Sequence, residues 1–220
     1  MPGVLLGRVT GLLRAIIFYP LVAIVSALII MASVNFAAFP PKIAPQNGAA
    51  AADDGLAFDA EALSHLDAGP DQVRHVMRDE LGAITSVQIA TLAGRKEATP
   101  ARTGARLLLT PEAAARFAGK ALIVEARVRP LPYVTAEKVA VAIEAESGPA
   151  AWIVEPFPPT AVTDAQSGDV GTSLWLRFTI PPIDGAPKAV GFWPSAQDQD
   201  SNFGFELLEV RVRPAQPGRA

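Results

Sequence analysis

The sequence predicts an all-β protein, a jelly-roll β-sandwich, preceded by one N-terminal transmembrane helix. Three observations carry this expectation. Residues Ala15 to Pro41 contain no charged side chain. From about residue 84 onward, short runs alternate apolar and polar residues with period two, as strands with one buried face do. Proline and glycine fall between those runs, where they leave a strand ladder intact.

Composition sets the outer bounds. The chain has 220 residues, a formal net charge of −3 and no cysteine. A charge so near zero gives no bulk attraction to nucleic acid. Without cysteine there are no disulfides, iron–sulfur clusters, cysteine-ligated zinc or thiol catalysis.

Taken in order, residues 1–14 form a short N-terminus holding Arg8 and Arg14, and the apolar run follows as a helix over 15–38. A bilayer core needs about 20 apolar residues in a helix, which this run supplies. Only Lys42 follows it closely, so the positive charge lies on the N-terminal side. That bias predicts a single-pass inner-membrane protein with a cytoplasmic N-terminus and a periplasmic C-terminal domain. The competing reading is a cleaved signal peptide. Its apolar core is normally about 7–15 residues and ends in small residues. Here the core is longer, and Phe36 and Phe39 stand where small residues are needed. Ala23, Ser26, Ala27 and Ala32 leave room for a neighbouring helix in the membrane.

Residues 39–55, rich in Pro, Ala, Gly and Asn, read as a linker. In 56–82 the stretch DQVRHVMRDEL fits a helix or a strand, and periodicity does not choose between them. Strands follow at AITSVQIATL, GARLLLT, GKALIVEARVRP, KVAVAIEAE, AWIVEPF, SLWLRFTI, KAVGFW and NFGFELLEVRVRP. One helix interrupts them at TPEAAARFAG, with Thr110 as N-cap, Pro111 at the first helical position and Gly119 at the exit. The domain therefore spans 56–214, and 215–220 read as a disordered tail.

GKALIVEARVRPLP, GTSLWLRFTIPP and above all GFWPSAQDQDSNFGFELLEVRV resemble the galactose-binding-like jelly rolls, which include many carbohydrate-binding modules. The resemblance covers roughly 56–214 and rests on strand pattern. It implies a domain that binds sugars, lipids or proteins, often carries a structural calcium ion, and is rarely catalytic by itself. No residue role carries over from it.

The last strand has apolar residues on both parities: Phe203, Phe205 and Leu207 on one, Leu208, Val210 and Val212 on the other. One regular strand cannot turn both sets to one core, so a β-bulge near Leu207–Leu208 is expected. Just before it, Asp198, Asp200, Asn202 and Glu209 sit almost at the ligand register of a helix–loop–helix calcium loop. Phe203 occupies the place that needs glycine, Pro194 precludes an incoming helix, and a strand follows. That reading fails. Asp198, Asp200 and Asn202 can still supply three oxygens to a calcium ion on a hairpin loop, and equally serve as ordinary turn residues.

Catalytic patterns are missing. His65 and His75 have no Ser/Asp constellation, and there is no Gly-x-Ser-x-Gly turn, phosphate loop or HExxH. The paired carboxylates Glu144/Glu146, Asp198/Asp200 and Glu206/Glu209 show no defined spacing across a cleft. The expected protein is not an enzyme.

The parity of the strands turns Trp175 outward beside Arg177, and places Arg127 and Arg129 outward on another strand. An aromatic ring among guanidinium groups suits sugar stacking or docking of an anionic partner. A plain cross-strand ladder with Glu125 and Glu209 is the alternative. The expected function is a non-catalytic glycan-binding module with Trp175, Arg127, Arg129 and Arg177 as its surface. The alternative is an accessory or scaffolding subunit of an inner-membrane complex.

Overall fold

The computed structural model describes residues 26, 48–50, 54–69, 72–91, 104–145, 148–149, 152–168, 171–195 and 203–215. The chain divides into two units, Met1–Lys42 and Ile43–Ala220, and the strands lie in the second. Of the expected membrane span only Ser26 is described, in helical conformation. The rest of 15–38 and the N-terminus before it lie outside the described residues. Among the described residues no helix is long and apolar enough to cross a membrane.

The elements run β1 (Ala49–Ala50), β2 (Leu56–Phe58), α1 (Ala60–Leu63), β3 (Gln72–Arg78), β4 (Ile84–Thr91), β5 (Ala105–Leu108) and α2 (Pro111–Phe117). Then come β6 (Leu122–Pro130), β7 (Lys138–Ala145), β8 (Gly148–Pro149), β9 (Ile153–Pro156) and α3 (Pro159–Gln166). β10 (Leu174–Ile180), β11 (Pro187–Ser195) and β12 (Phe203–Pro214) complete the chain. Every pairing between these strands is antiparallel.

The strands make two sheets. In the first, β12 is central and pairs with β6 along one side. Along its other side it pairs first with β4, through Phe203–Leu207, and then with β2, through Val210–Val212. β3 extends β4, β1 extends β2, and β10 closes the far edge on β6. In the second sheet β11 lies between β5 and β7, and β8 and β9 both pair with β7. One core joins the sheets: Phe58, Ile89, Val124, Phe178 and Phe205 come from the first, and Leu107, Val141, Ile143 and Phe192 from the second. The fold is an all-β sandwich.

The bulge falls where the sequence places it. Leu207 stands opposite Val128 and Glu209 opposite Arg127, so Leu208 is the extra residue. Phe203, Phe205 and Leu207 before it, and Val210 and Val212 after it, are all buried in the core. It also marks the point at which β12 exchanges β4 for β2, so the reset of facing and the change of partner coincide.

DQVRHVMRDEL resolves to a strand and a turn. β3 pairs with β4 from Gln72↔Thr91 onward, and Asp79 closes the hairpin by accepting from the backbone N–H groups of Leu81 and Ala83, each at 2.9 Å. Gly82 takes φ +85, which a turn here requires of glycine. The helix at α2 is as expected: Thr110 Oγ1 accepts from Ala113 N at 3.3 Å, with Pro111 in the first turn. Helices α1 and α3 were not legible. Both are short, and α1 is held by the Asp59 side chain accepting from Ala62 N.

Two boundaries move. The stretch 39–55, expected as linker, contributes β1, in which Ala49 stands opposite Ala57. Ala215, expected in the tail, donates its N–H to the Ala121 carbonyl at 2.8 Å. Backbone pairing decides both ends, and alanine-rich sequence gives no sign of it. The tail beyond Ala215 lies outside the described residues.

Candidate functional site

Trp175, Arg127, Arg129 and Arg177 lie on the outward face of β10 and β6. Trp175 stands opposite Arg127, and Arg127 opposite Glu209. One step along, Arg177, Glu125 and Arg211 form the next row. Direct cross-strand neighbours have Cβ atoms about 4.5–5.5 Å apart, so these side chains are neighbours on one face. Trp175 is 44% exposed. The Arg211 guanidinium lies 4.6 Å from the centroid of its ring, a cation–π contact. Arg211 also donates Nε–H to Glu209 Oε1 at 2.7 Å, which holds it over the indole.

Charge on this face does not cancel evenly. Arg213 pairs with Glu125 at 3.3 Å and Arg129 with Glu206 at 3.2 Å. With Arg211 on Glu209, each of the three glutamates is taken by one arginine. Arg127 and Arg177 remain. Arg127 donates Nε–H to the neutral Ser173 hydroxyl at 2.9 Å, and among the described residues neither arginine pairs with a carboxylate. Both are exposed, and both flank Trp175.

The sequence grouped Arg129 with these residues, and the structure sets it apart. It stands opposite Glu206 at the level where β10 begins. Glu206 is buried and also accepts from the Ser86 hydroxyl, so Arg129 belongs to a Ser86–Glu206–Arg129 cluster. There its guanidinium stands 3.2 Å from a buried carboxylate. Asp198, Asp200 and Asn202 lie outside the described residues. Among the described residues no group of three or more His, Asp or Glu is placed to hold a metal ion.

Sequence reasoning missed a hollow of about 340 Å³ beside Glu209, lined by Gly48, Ala49, Ala57, Asp59, Glu61 and His65 among others. It forms where β1, β2 and α1 meet β12, so residues distant in sequence make it. Asp59 is occupied by capping α1, and Glu209 by Arg211. Tyr133, in the β6–β7 loop, was also missed: it is 75% exposed with φ +64. A non-glycine residue in that conformation costs about 1–3 kcal/mol. The ring rests over Gly168, where an added Cβ would meet the tyrosine hydroxyl at 2.3 Å. LPYV carries no alternation that would flag it.

The second sheet presents a different outer face. Arg106 lies between Asp67 and Glu144, and its hydrogen bond to Asp67 holds its pKa above the ordinary guanidinium value despite partial burial. Trp193 also points away from the core on β11, yet it is 4% exposed, with Trp152 edge-on at 6.3 Å.

No protein-family model matches the chain, and no curated protein matches it. Among solved structures it is similar to the C-terminal CBM6 of LamC from Zobellia galactanivorans, with TM-score 0.36 and 11% identity over 72% of this chain and 98% of that one. It is similar to CsCBM6-3 from Clostridium stercorarium, solved with cellobiose, with TM-score 0.38 and 14% identity over 78% of this chain and 100% of that one. It is similar to the xylan-binding module CBM15, with TM-score 0.39 and 12% identity over 74% of this chain and 99% of that one. Likeness at this level carries no argument about ligand, and the sandwich rests on its own strand pairing.

Proposed function

We propose that the chain is a single-pass, membrane-anchored protein whose jelly-roll sandwich acts in the periplasm as a non-catalytic glycan-binding module. The carrying observation is Trp175: an indole 44% exposed on the outward side of an edge strand, held in place by Arg211. A large aromatic ring left open on a sheet face offers apolar area to a sugar ring, and its orientation is already fixed before binding. Arg211 lies against the ring, and 44% of Trp175 remains exposed to a ligand. This reading assigns no catalytic step, and Glu206 and Glu209 each pair with an arginine. The anchor rests on the uncharged run 15–41 and the arginines before it.

The test is affinity electrophoresis of the full-length chain through gels containing soluble polysaccharides, with Trp175→Ala beside it. Retention on at least one polysaccharide, lost in the variant while the melting temperature holds, is the expected result. Retention unchanged in the variant would move the site elsewhere, and no retention on any polysaccharide would overturn the reading.

A further inference from the structure

The charge left over at Trp175 selects among glycans. Across β10, β6 and β12 the outward face carries Arg127, Arg129, Arg177, Arg211 and Arg213 against Glu125, Glu206 and Glu209. Three ion pairs consume every glutamate and three of the arginines. An evenly spread surplus would say little. Here the two arginines left without a carboxylate among the described residues are the direct cross-strand neighbour of Trp175 and its neighbour two residues along the same strand. The Cβ atoms of both arginines therefore stand within about 5–7 Å of that of Trp175.

We infer that the ligand of the Trp175 surface is an acidic glycan, one whose sugars carry carboxylates. This inference rests on the glycan-binding reading above. Both exposed arginine side chains are long enough to reach the ring substituents of a pyranose stacked on the indole. A uronate carboxylate there takes a two-pronged hydrogen bond from Arg177 or Arg127, which a neutral hydroxymethyl group cannot match. The ladder itself favours this assignment over a generic basic patch. Arg211 and Arg213 are held by glutamates on their own face, so the open cations are confined to the stacking position. A surface meant only to attract polyanions has no need of an exposed indole between its cations.

The experiment compares uronate polysaccharides with themselves. The full-length chain is titrated with polygalacturonate, alginate and hyaluronan, and with the carboxyl-reduced form of each, which keeps the backbone and removes the charge. The expected result is binding to at least one uronan, weakened about ten-fold or more by carboxyl reduction. Arg127→Gln/Arg177→Gln should produce a similar loss towards the intact uronan and none towards the reduced form. Both side chains are exposed, so the variant should fold, and an unchanged melting temperature verifies this. Trp175→Ala should remove binding to both forms. Equal binding to reduced and intact polymers would overturn the acidic-glycan assignment and leave the glycan-binding reading standing. Failure to bind any of the intact uronans would overturn the acidic-glycan assignment, and retention on a neutral polysaccharide in the affinity gels would then keep the glycan-binding reading. Binding to phosphatidylglycerol vesicles as strong as to the uronans, and insensitive to Trp175→Ala, would also overturn it, since the arginines would then be attracting negative charge without a sugar.

Discussion

Trp193 and Trp175 both point away from the core, each from the outer face of its own sheet, and their surroundings are opposite. Trp193 is 4% exposed, flanked by Trp152 and set opposite Ala140, itself buried. Trp175 is 44% exposed and set opposite Arg127. Strand parity assigns both outward and distinguishes neither. The neighbours decide. Trp193 stands opposite the small Ala140 and packs edge-on with Trp152, whereas Trp175 stands opposite the long Arg127 side chain with Arg211 over its ring. One outward tryptophan extends the packed interior, and the other remains free to meet a ligand.

The largest effect should come from the closed side. Trp193→Ala removes a ring buried as fully as a core residue, and Phe/Trp→Ala changes at such sites cost about 3–5 kcal/mol. Urea unfolding of the full-length chain measures this, and a loss below about 1 kcal/mol would erase the contrast between the two faces.

Gly104→Ala sharpens the same side. Gly104 has φ +64, and a Cβ there would lie 2.3 Å from the Phe192 carbonyl oxygen and 3.2 Å from the Trp152 ring. A non-glycine residue in this conformation costs about 1–3 kcal/mol before any clash. The expected loss is therefore at least of that order, together with a change in tryptophan fluorescence as Trp152 shifts. Unaltered stability would mean that the backbone approach behind the tryptophan pair is not tight.

On the open side the arginines divide in the same way. Arg129→Gln deprives the buried Glu206 of its cation and should cost about 1–3 kcal/mol. Arg177→Gln removes an exposed group and should change stability by less than about 0.5 kcal/mol. Equal effects in parallel denaturation curves would show that the Glu206 cluster is not structural.

Much of this arrangement was legible in the sequence, for a definite reason. Period-two alternation names the face of each residue, so it turns Trp175, Arg127, Arg129 and Arg177 outward. The bulge was legible too, because Leu207 and Leu208 could not both serve one regular strand. What alternation cannot give is register between distant strands. That Arg213 meets Glu125, while Arg129 meets Glu206, follows from β12 lying beside β6, and no local pattern encodes it. The hollow beside Glu209 escaped for the same reason, since β1, α1 and β12 are remote in sequence.

Trp175→Ala should also change stability little, and it carries the most functional weight. The indole contributes partial burial and one cation–π contact with Arg211, which at an exposed site is worth about 0.5–1 kcal/mol. Arg211 keeps Glu209 after the ring is gone, so no buried charge is left without a partner. The net loss should stay within about 1 kcal/mol, against the several expected for Trp193→Ala. Measuring both variants in one urea series makes the comparison internal, since the two changes delete the same atoms. A Trp175→Ala loss approaching that of Trp193→Ala would mean that the ring is part of the packing, and the open face would lose its claim to a ligand. A small loss accompanied by abolished polysaccharide retention would separate the two roles: one tryptophan holds the sandwich together, and the other is held ready by it.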